Sequence, residues 1–300
     1  MSDYDAAANG AACYALAIAT MRDKLESLHK VQIGACTLYR ADCRDVLPLL
    51  PTVDLIFTDP PYGHNNNNGD LINRWESATG FSGGKAEARP IANDGPVETA
   101  ALITWLFAQM PKLLKPGSCA CCCCGGGGGP DPQFARWSLE LDKHLDFKQM
   151  VVWDKGPMGM GWHYRRSYEV VLVAQRKGAA CQWFDETNTI ENIIRPGYLG
   201  IRKIIPQATD HPTPKPNELA RHFIRLHTQA GGVVLDPFMG GGSTAVAAVH
   251  EGRKFIGIEI DEQWFDLSCR HIEKAYAQPD LFVAPPASTE TQTSFLECAQ

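Results

Sequence analysis

The sequence predicts an α/β protein with a doubly wound, mostly parallel sheet and helices on both faces. The run Val53–Thr58 is apolar and β-rich, and it ends before two prolines, where a strand stops because proline donates no ladder hydrogen bond. Gly232–Ala248 has the pattern of a strand, a glycine-rich turn and an alanine-rich helix. Phe255–Ile258 is another apolar strand, and it ends at Glu259. Apolar strands that alternate with helices are typical of parallel sheets.

The 300 residues can bury one substantial core, so we expect a single α/β domain over residues 31–277. Residues 1–30 are expected to form an N-terminal helical extension, with the helix over Cys13–Lys30, and residues 278–300 have the composition of a disordered tail. No segment has the length and apolarity of a membrane span, and the first residues lack the positive charge of a secretory signal. We therefore expect a cytoplasmic protein.

The other elements follow in chain order. We expect a strand pair over Val31–Arg40, a short helix over Arg44–Leu50, a long polar loop over about residues 63–96, and a helix over Val97–Leu114 that Lys115-Pro116-Gly117 ends. A helix over Asp131–His144 and strands over Phe147–Trp153 and Glu169–Ala174 follow. After an irregular stretch over about residues 177–210, we expect helices over Glu218–Thr228 and Asp261–Tyr276. The loop over 63–96 is interpreted either as a mobile cover of a site or as a flexible insertion.

The stretch Asp59-Pro60-Pro61-Tyr62 is the first candidate site. Asp59 stands at the carboxyl end of a predicted strand, where open α/β sheets bind ligands. The prolines would hold the Asp59 carboxylate and the Pro60 carbonyl outward, as two acceptors beside an aromatic ring. Such a pair suits a flat heterocycle with an amino group, since bonds to both N–H groups would stabilise the positive charge that develops when the nitrogen attacks. The alternative is a strand end with a rigid turn.

The glycine-rich turn after Asp236 is the second candidate site. Glycines let the backbone approach a ligand closely, and the N-terminus of the following helix presents free N–H groups. Glu259, at the next predicted strand end, is placed to accept hydrogen bonds from both ribose hydroxyls of a nucleoside cofactor. The turn lacks the Gly-Lys-Ser/Thr ending of a phosphate-binding NTPase loop.

Asp59-Pro60-Pro61-Tyr62 and the later Phe238, Gly240 and Gly242 together resemble the β class of DNA amino-methyltransferases, a circularly permuted group that includes many phage and orphan bacterial enzymes. The resemblance covers about Leu38–Ala275. It implies a Rossmann-like methyltransferase fold, S-adenosylmethionine as cofactor, and methyl transfer to an exocyclic amine of a base flipped out of double-stranded DNA. Adenine N6 is favoured in this family by Asp59 with Tyr62. Cytosine N4, an RNA adenine and a catalytically silent DNA-binding protein are the alternatives.

The resemblance also implies roles for single residues. Asp59, Pro60, Pro61 and Tyr62 would be catalytic, and the cofactor would be bound by Asp42, Lys215, Asp236, Phe238, Gly240, Gly242, Ser243, Thr244 and Glu259. Lys215 belongs to His211–Pro216, which resembles a short family motif that helps to hold the methionine end of the cofactor. Asp42 matches the acidic position near the cofactor's adenine.

The formal net charge is −6, but the charges are unevenly distributed. Residues 148–225 hold 12 basic and 7 acidic residues, and the rest of the chain holds 16 and 27. Such a basic region can meet phosphate, although chance clustering on a solvated face is the alternative. We predict that about residues 177–210 are the target-recognition region, because Asn and Arg make bidentate contacts with adenine and guanine. The predicted DNA contacts are Arg195, Arg202, Lys203 and, in the long loop, Arg74.

Two further expectations concern the cysteines and the oligomer. In Cys119–Cys124, neighbouring cysteines would point to opposite faces of a strand, and no Cys-x-x-Cys pair has a distant partner, so we predict free thiols and no metal site. The family resemblance implies that this run is a core strand, where cysteine serves as a small apolar residue. The recognition region is small, and a two-fold dimer would present it twice to a palindromic site. We therefore expect a homodimer that forms through the N-terminal helix or the Val97–Leu114 helix, the alternative being a monomer that visits the two DNA strands separately.

Overall fold

The computed structural model describes residues 19–20, 23–63, 91–124, 133–156, 167–197, 199 and 215–278. In these ranges nine strands form one sheet: β1 (His29–Ile33), β2 (Cys36–Arg40), β3 (Val53–Thr58), β4 (Leu114–Cys124), β5 (Asp146–Asp154), β6 (Tyr168–Gln175), β7 (Ile193–Ile194), β8 (Val233–Asp236) and β9 (Lys254–Glu259). The helices with both ends described are α1 (Cys43–Val46), α2 (Pro96–Leu113), α3 (Gln133–Asp142), α4 (Asn217–His227), α5 (Ser243–His250) and α6 (Glu262–Ala277). A 3-10 helix covers Leu47–Leu49. No described helix is both long and apolar enough to cross a membrane.

The strand order across the sheet is β1-β2-β9-β8-β3-β4-β6-β5-β7. The five strands from β2 to β4 in this order are parallel, so their carboxyl ends meet at one edge. β1 pairs with β2 in an antiparallel hairpin, and β6 is antiparallel to both β4 and β5. The predicted doubly wound, mostly parallel sheet is confirmed.

Both faces of the sheet are covered, and β4 shows why its residues are so apolar. Helices α4, α5 and α6 contribute to the core on one face, where Cys119, Cys121 and Cys123 point. Helices α1, α2 and α3 contribute to the core on the other face, together with Cys122 and Cys124. All these cysteines are buried free thiols, which confirms the predicted core strand. Cysteine serves here as a small apolar side chain.

Several predicted boundaries were wrong. Helix α2 ends at Leu113, and Lys115-Pro116-Gly117 lies within β4, because Leu114 already pairs with Val53 and the Lys115 ammonium contacts the Asp54 carboxylate at 2.7 Å. The predicted N-terminal helix does not continue to Lys30. Residues 23–26 are helical, but β1 begins at His29 because it pairs with β2.

Sequence analysis also missed β7, which lies within the stretch predicted to be irregular. Its two residues pair in parallel with Val152 and Trp153 of β5. A strand of two residues carries too little periodicity to be recognised in a sequence. Most of the predicted long loop, at residues 64–90, and the predicted tail from residue 279 onward lie outside the described residues.

Candidate active site at the carboxyl edge of the parallel strands

Asp59 follows β3 directly and lies at the edge where the parallel strands end. Its carboxylate accepts a hydrogen bond from the Tyr62 hydroxyl through Oδ1, and its Oδ2 lies 2.7 Å from the Lys215 ammonium. Pro60 is buried, whereas Asp59, Pro61 and Tyr62 are partly exposed. The tetrapeptide therefore presents a carboxylate and an aromatic ring on a backbone that the prolines hold rigid.

Lys215 lies beside this tetrapeptide. Its Nζ donates to the Tyr62 hydroxyl at 3.1 Å and is 3.4 Å from Glu169 Oε2. Burial works to lower the pKa of Lys215, but the carboxylates of Asp59 and Glu169 outweigh it and raise that pKa above its ordinary value. The side chain thus remains an ammonium, which can hold carboxylates in position but cannot serve as a base at neutral pH.

Glu169 is a site residue that sequence analysis missed. Its Oε1 lies 2.7 Å from the Lys155 ammonium, and burial, which would raise the pKa of Glu169, is outweighed by Lys215 and Lys155, so that pKa is lowered. Glu169 lies near the start of β6, and only the antiparallel direction of β6 brings it to the edge where β3 and β4 end. No local signal in the sequence gives that direction.

Asp236 ends β8, and its carboxylate points into the protein. Its Oδ1 accepts hydrogen bonds from the Thr58 hydroxyl at 2.9 Å and from the Phe238 N–H at 3.1 Å, and Thr244 is a further partner. Burial raises the pKa of Asp236 to about 7. Asp236 thus links the end of β8 to the end of β3 through Thr58, and it holds the start of the glycine turn through the Phe238 N–H. Both candidate sites lie above these contacts.

The glycine turn is closed by Glu259 at the end of β9. Glu259 Oε2 accepts the Gly240 N–H and Oε1 accepts the Asp261 N–H, both at 2.8 Å. Burial raises the pKa of this carboxyl group. Gly242 has φ +84° and precedes α5, and a Cβ at this position would lie 2.9 Å from Ser268 Cβ. Only glycine allows this turn to pack against α6.

Asp42 lies next to Glu259 at the same edge. Arg40 of β2 is paired with Glu259, and the Ala41 N–H donates to the Glu259 carbonyl at 3.0 Å. Asp42 caps α1 by accepting the Arg44 N–H, and hydrogen bonds from Arg44 lower its pKa. The two acidic residues predicted for the adenosine part of a cofactor therefore occupy neighbouring strand ends.

This donor set fits S-adenosylmethionine. Each Glu259 oxygen has a lone pair beyond the one that a backbone N–H uses, and ribose hydroxyls are donors of the kind that a buried carboxylate binds. Ser243 and Thr244 begin α5, whose first N–H groups face the glycine turn as possible donors to a carboxylate. Phe238 is partly buried beside the turn.

Of the four predicted DNA contacts, one lies within the described residues. Arg195 is exposed directly after β7, where its guanidinium pairs with Glu191. Arg74, Arg202 and Lys203 lie outside the described residues. An exposed arginine in an ion pair can exchange its partner for a phosphate, and DNA binding by Arg195 stays a prediction.

The family profile N6_N4_Mtase, described as DNA methylase, matches residues 53–270. The DNA adenine methyltransferase YhdJ of Escherichia coli (strain K12) is 26% identical over 273 residues, which cover 80% of this chain and 84% of that protein.

Solved structures agree with the family match. The crystal structure of the M1.HpyAVI–SAM complex shares 25% identity and a TM-score of 0.53, covering 78% of this chain and 98% of the other. The cytosine-N4-specific PvuII DNA methyltransferase shares the fold, with 18% identity, a TM-score of 0.56, and coverage of 81% of this chain and 90% of the other. Since the profile spans most of the chain and includes both candidate sites, the chain belongs to the N6/N4 family of S-adenosylmethionine-dependent DNA methyltransferases.

Proposed function

We propose that the protein methylates the N6 nitrogen of adenine in double-stranded DNA, at a base flipped out of the helix. The observation that carries the proposal is the Asp59 carboxylate at the strand edge, with the Tyr62 ring beside it and Lys215 behind it. The similarity to an adenine methyltransferase over most of both chains supports the choice of base. Tyr62 would stack on the flipped base.

Asp59 and Pro60 would activate the amino nitrogen. Its lone pair is delocalised into the ring, and hydrogen bonds from its two N–H groups to the Asp59 carboxylate and the Pro60 carbonyl would localise that pair on nitrogen. The carboxylate would also stabilise the positive charge that develops there, and would accept the proton that the nitrogen then loses. S-adenosylmethionine supplies the electrophilic methyl group when bound.

Glu169 would keep Lys215 in place while Asp59 binds the base. Asp59 now contacts two donors, Tyr62 and Lys215, and must turn part of its carboxylate toward the incoming amine. Lys215 remains anchored because Glu169 Oε2 is 3.4 Å away, and that oxygen accepts no other hydrogen bond among the described residues. Glu169 is thus a positioning residue rather than a catalytic one.

The cofactor would lie over the glycine turn. Glu259 would bind the ribose hydroxyls and Asp42 would lie toward the adenine, while Gly240, Gly242, Ser243 and Thr244 would border the methionine end. Asp236 would position this turn through the Phe238 N–H rather than touch the cofactor, since its contacts with Thr58 and Phe238 lie inside the protein.

Cytosine N4 is the second candidate, because the same two acceptors can bind the amino group of cytosine, and a cytosine-N4-specific enzyme shares the fold. The deciding experiment expresses the protein in a host whose own DNA is unmethylated and analyses the nucleosides of that DNA by mass spectrometry. We expect N6-methyladenine, and none from cells that express Asp59→Ala. N4-methylcytosine instead would overturn the choice of base, and methylation of RNA alone would overturn the choice of substrate.

A pair of variants separates the two sites. Asp59→Ala should abolish methyl transfer but leave cofactor affinity nearly unchanged. Glu259→Ala should weaken cofactor binding, since losing a charge-assisted hydrogen bond costs roughly 1.5–3 kcal/mol, or at least about tenfold in affinity. Calorimetry with S-adenosylmethionine and a turnover assay measure both effects. Near-normal turnover of Asp59→Ala, or full cofactor affinity of Glu259→Ala, would contradict these roles.

A further inference from the structure

Cys119, Cys181 and His227 form a cluster that the methyltransferase chemistry does not use. Their ligand atoms all lie within 4.8 Å of one another, and the two sulfur atoms are 3.6 Å apart. Cys119 comes from β4, Cys181 from the segment after β6, and His227 is the last residue of α4. Three segments that are distant in sequence thus direct soft ligand atoms to one point.

The cluster is separate from the active site. Cys119 is paired with Leu55, three residues before Thr58 at the end of β3, which places it about 10 Å back along the sheet from that edge. None of its three residues hydrogen-bonds to Asp59, Lys215 or Glu259 among the described contacts. Whatever the cluster binds is therefore not part of the methyl-transfer site.

The two thiols lie within hydrogen-bonding distance of each other, and this separation also fits two ligands of one metal ion. Two thiolates bound at about 2.3 Å to a tetrahedral zinc ion lie about 3.8 Å apart, whereas the sulfurs of a disulfide are about 2.05 Å apart. The observed 3.6 Å is close to the first value. The existing arrangement would need only small shifts to admit an ion, since the third ligand atom is already within 4.8 Å.

His227 has the surroundings of a metal-binding imidazole. Its Nδ1 lies 3.2 Å from the Gln182 carbonyl, so in the neutral ring Nδ1–H donates to that carbonyl and Nε2 carries the free lone pair. Metal-binding histidines are usually oriented by such a bond from the other ring nitrogen. The Trp183 ring packs edge-on against the imidazole, with centroids 5.4 Å apart, and His227 is 3% exposed.

Backbone hydrogen bonds hold the ligands together in the absence of an ion. The Gln182 N–H donates to the Gly117 carbonyl and the Phe184 N–H to the Leu226 carbonyl, both at 2.9 Å. The first bond ties the Cys181 segment to β4 and the second ties it to α4. Cys119 is buried, whereas Cys181 is exposed, so an ion can enter from the Cys181 side and water can reach it there.

We propose that Cys119, Cys181 and His227 bind a thiophilic divalent cation of the zinc class, with water as the fourth ligand. Binding converts both thiols to thiolates and releases their two protons to solvent. The ion would fasten the start of the segment after β6 to β4 and α4. Cys181 lies near the start of the predicted target-recognition region at about residues 177–210, so the site would stabilise the root of that region.

The test uses the full chain, purified without added metal, reduced, and freed of metal by a chelator that is then removed. Zn²⁺ is titrated in competition with a chromophoric chelator, and Co²⁺ is used as a spectroscopic probe of thiolate ligation. We expect one tight Zn²⁺ per chain, a cobalt–thiolate charge-transfer band, and a Zn²⁺-dependent rise in Tm.

Cys181→Ser is the main variant, because an exposed side chain can be changed without loss of the fold. It should lose the charge-transfer band and on the order of 100-fold or more in Zn²⁺ affinity, since even partners outside the ligand set contribute 10–100-fold. His227→Gln should weaken binding similarly. Cys269→Ser, which changes a partly exposed cysteine of α6, is the matched control and should bind as the unchanged protein does.

Three results would overturn the proposal. The first is Zn²⁺ binding by Cys181→Ser as tight as that of the control variant, and the second is no stoichiometric binding by the unchanged, reduced protein. The third is a Cys119–Cys181 disulfide that forms in peroxide as fast with Zn²⁺ as without it, because bound thiolates would be protected. Circular dichroism of each variant verifies that it is folded.

Discussion

Two carboxyl groups at neighbouring strand ends have opposite surroundings. Asp59 is partly exposed and faces the Lys215 ammonium, whereas Asp236 is 2% exposed and its Oδ1 accepts only from neutral groups, the Thr58 hydroxyl and the Phe238 N–H. Burial without a cation raises the pKa of Asp236 to about 7. Because of these different surroundings, the Asp59 carboxylate can bind an amine, whereas the Asp236 carboxyl group has a structural role below the site.

The raised pKa of Asp236 makes stability depend on pH. Between its unfolded pKa of 3.8 and its folded pKa of about 7, the native state binds more protons than the unfolded state, so stability falls as pH rises through this window and is flat above it. Asn cannot ionise and mimics the protonated group. The Tm of Asp236→Asn relative to that of the unchanged protein should therefore rise from pH 5 to pH 8. The corresponding change in the free energy of unfolding is on the order of a few kcal/mol.

Thermal melts at several pH values measure this difference. Asp266→Asn, which changes an exposed residue of α6, is the control for replacing an acidic side chain that is not buried. If the Asp236→Asn difference is independent of pH, the buried carboxyl group is not the source of the dependence.

At the level of elements, the β1–β2 hairpin is attached to the end of α6 by Tyr276. The Tyr276 hydroxyl accepts the Ala35 N–H at 2.8 Å, and its ring covers the turn at Gly34, where φ is +54°. A Cβ on Gly34 would lie 2.4 Å from Tyr276 Cζ. The turn thus needs glycine for two reasons, its left-handed backbone and the ring above it.

Gly34→Ala should therefore lower the free energy of unfolding by more than the unfavourable backbone conformation alone accounts for. Gly252→Ala is the matched control, since Gly252 also has a positive φ, +67°, but nothing lies within 4 Å of its Cβ position. The control should cost about 1–2 kcal/mol, and Gly34→Ala about 1 kcal/mol more, because the ring must move and its hydrogen bond is lost. Denaturant unfolding measures both. The extra cost should vanish in a Tyr276→Ala background, and its persistence there would refute the contact.

For the whole molecule, the main structural question is whether one chain acts alone. Helix α2 was one of two predicted dimer contacts, but Leu102, Leu106 and Met110 pack into the core of their own chain. Val97, at the start of α2, remains 77% exposed, and Leu139 of α3 is 72% exposed. The apolar face of α2 is thus buried within its own chain, so little apolar surface of that helix is exposed to contact a partner chain.

We nevertheless expect a homodimer, because the short recognition region would be presented twice to a two-fold symmetric DNA site. Light scattering at micromolar concentration should give twice the chain mass of 32.9 kDa. Sequencing of methylated DNA should give a palindromic motif. A monomeric mass with and without DNA, or a motif without two-fold symmetry, would contradict the expectation.

The sequence by itself determined the local parts of the sites. Two prolines after Val53–Thr58 end a strand at Asp59, and the glycines after Asp236 form the turn that Glu259 closes. These features depend on neighbouring residues or on one β-α-β unit, whose geometry is nearly constant. The core strand at Cys119–Cys124 was implied by the family resemblance, and its uninterrupted apolar composition fits a strand that is covered on both faces.

Only the tertiary structure decided which distant side chains meet. Lys215 contacts both Asp59 and Glu169. Glu169 lies at this edge because β6 runs antiparallel to β4, and the direction of a strand is not encoded in its own residues. The expectation of no metal site considered the cysteine run alone, whereas the cluster takes Cys119 from that run and its other two ligands from elsewhere. Asp236 turns inward because Thr58 lies beside it on the next strand. Such contacts depend on strand order, direction and register, which are set by the packing of the whole chain.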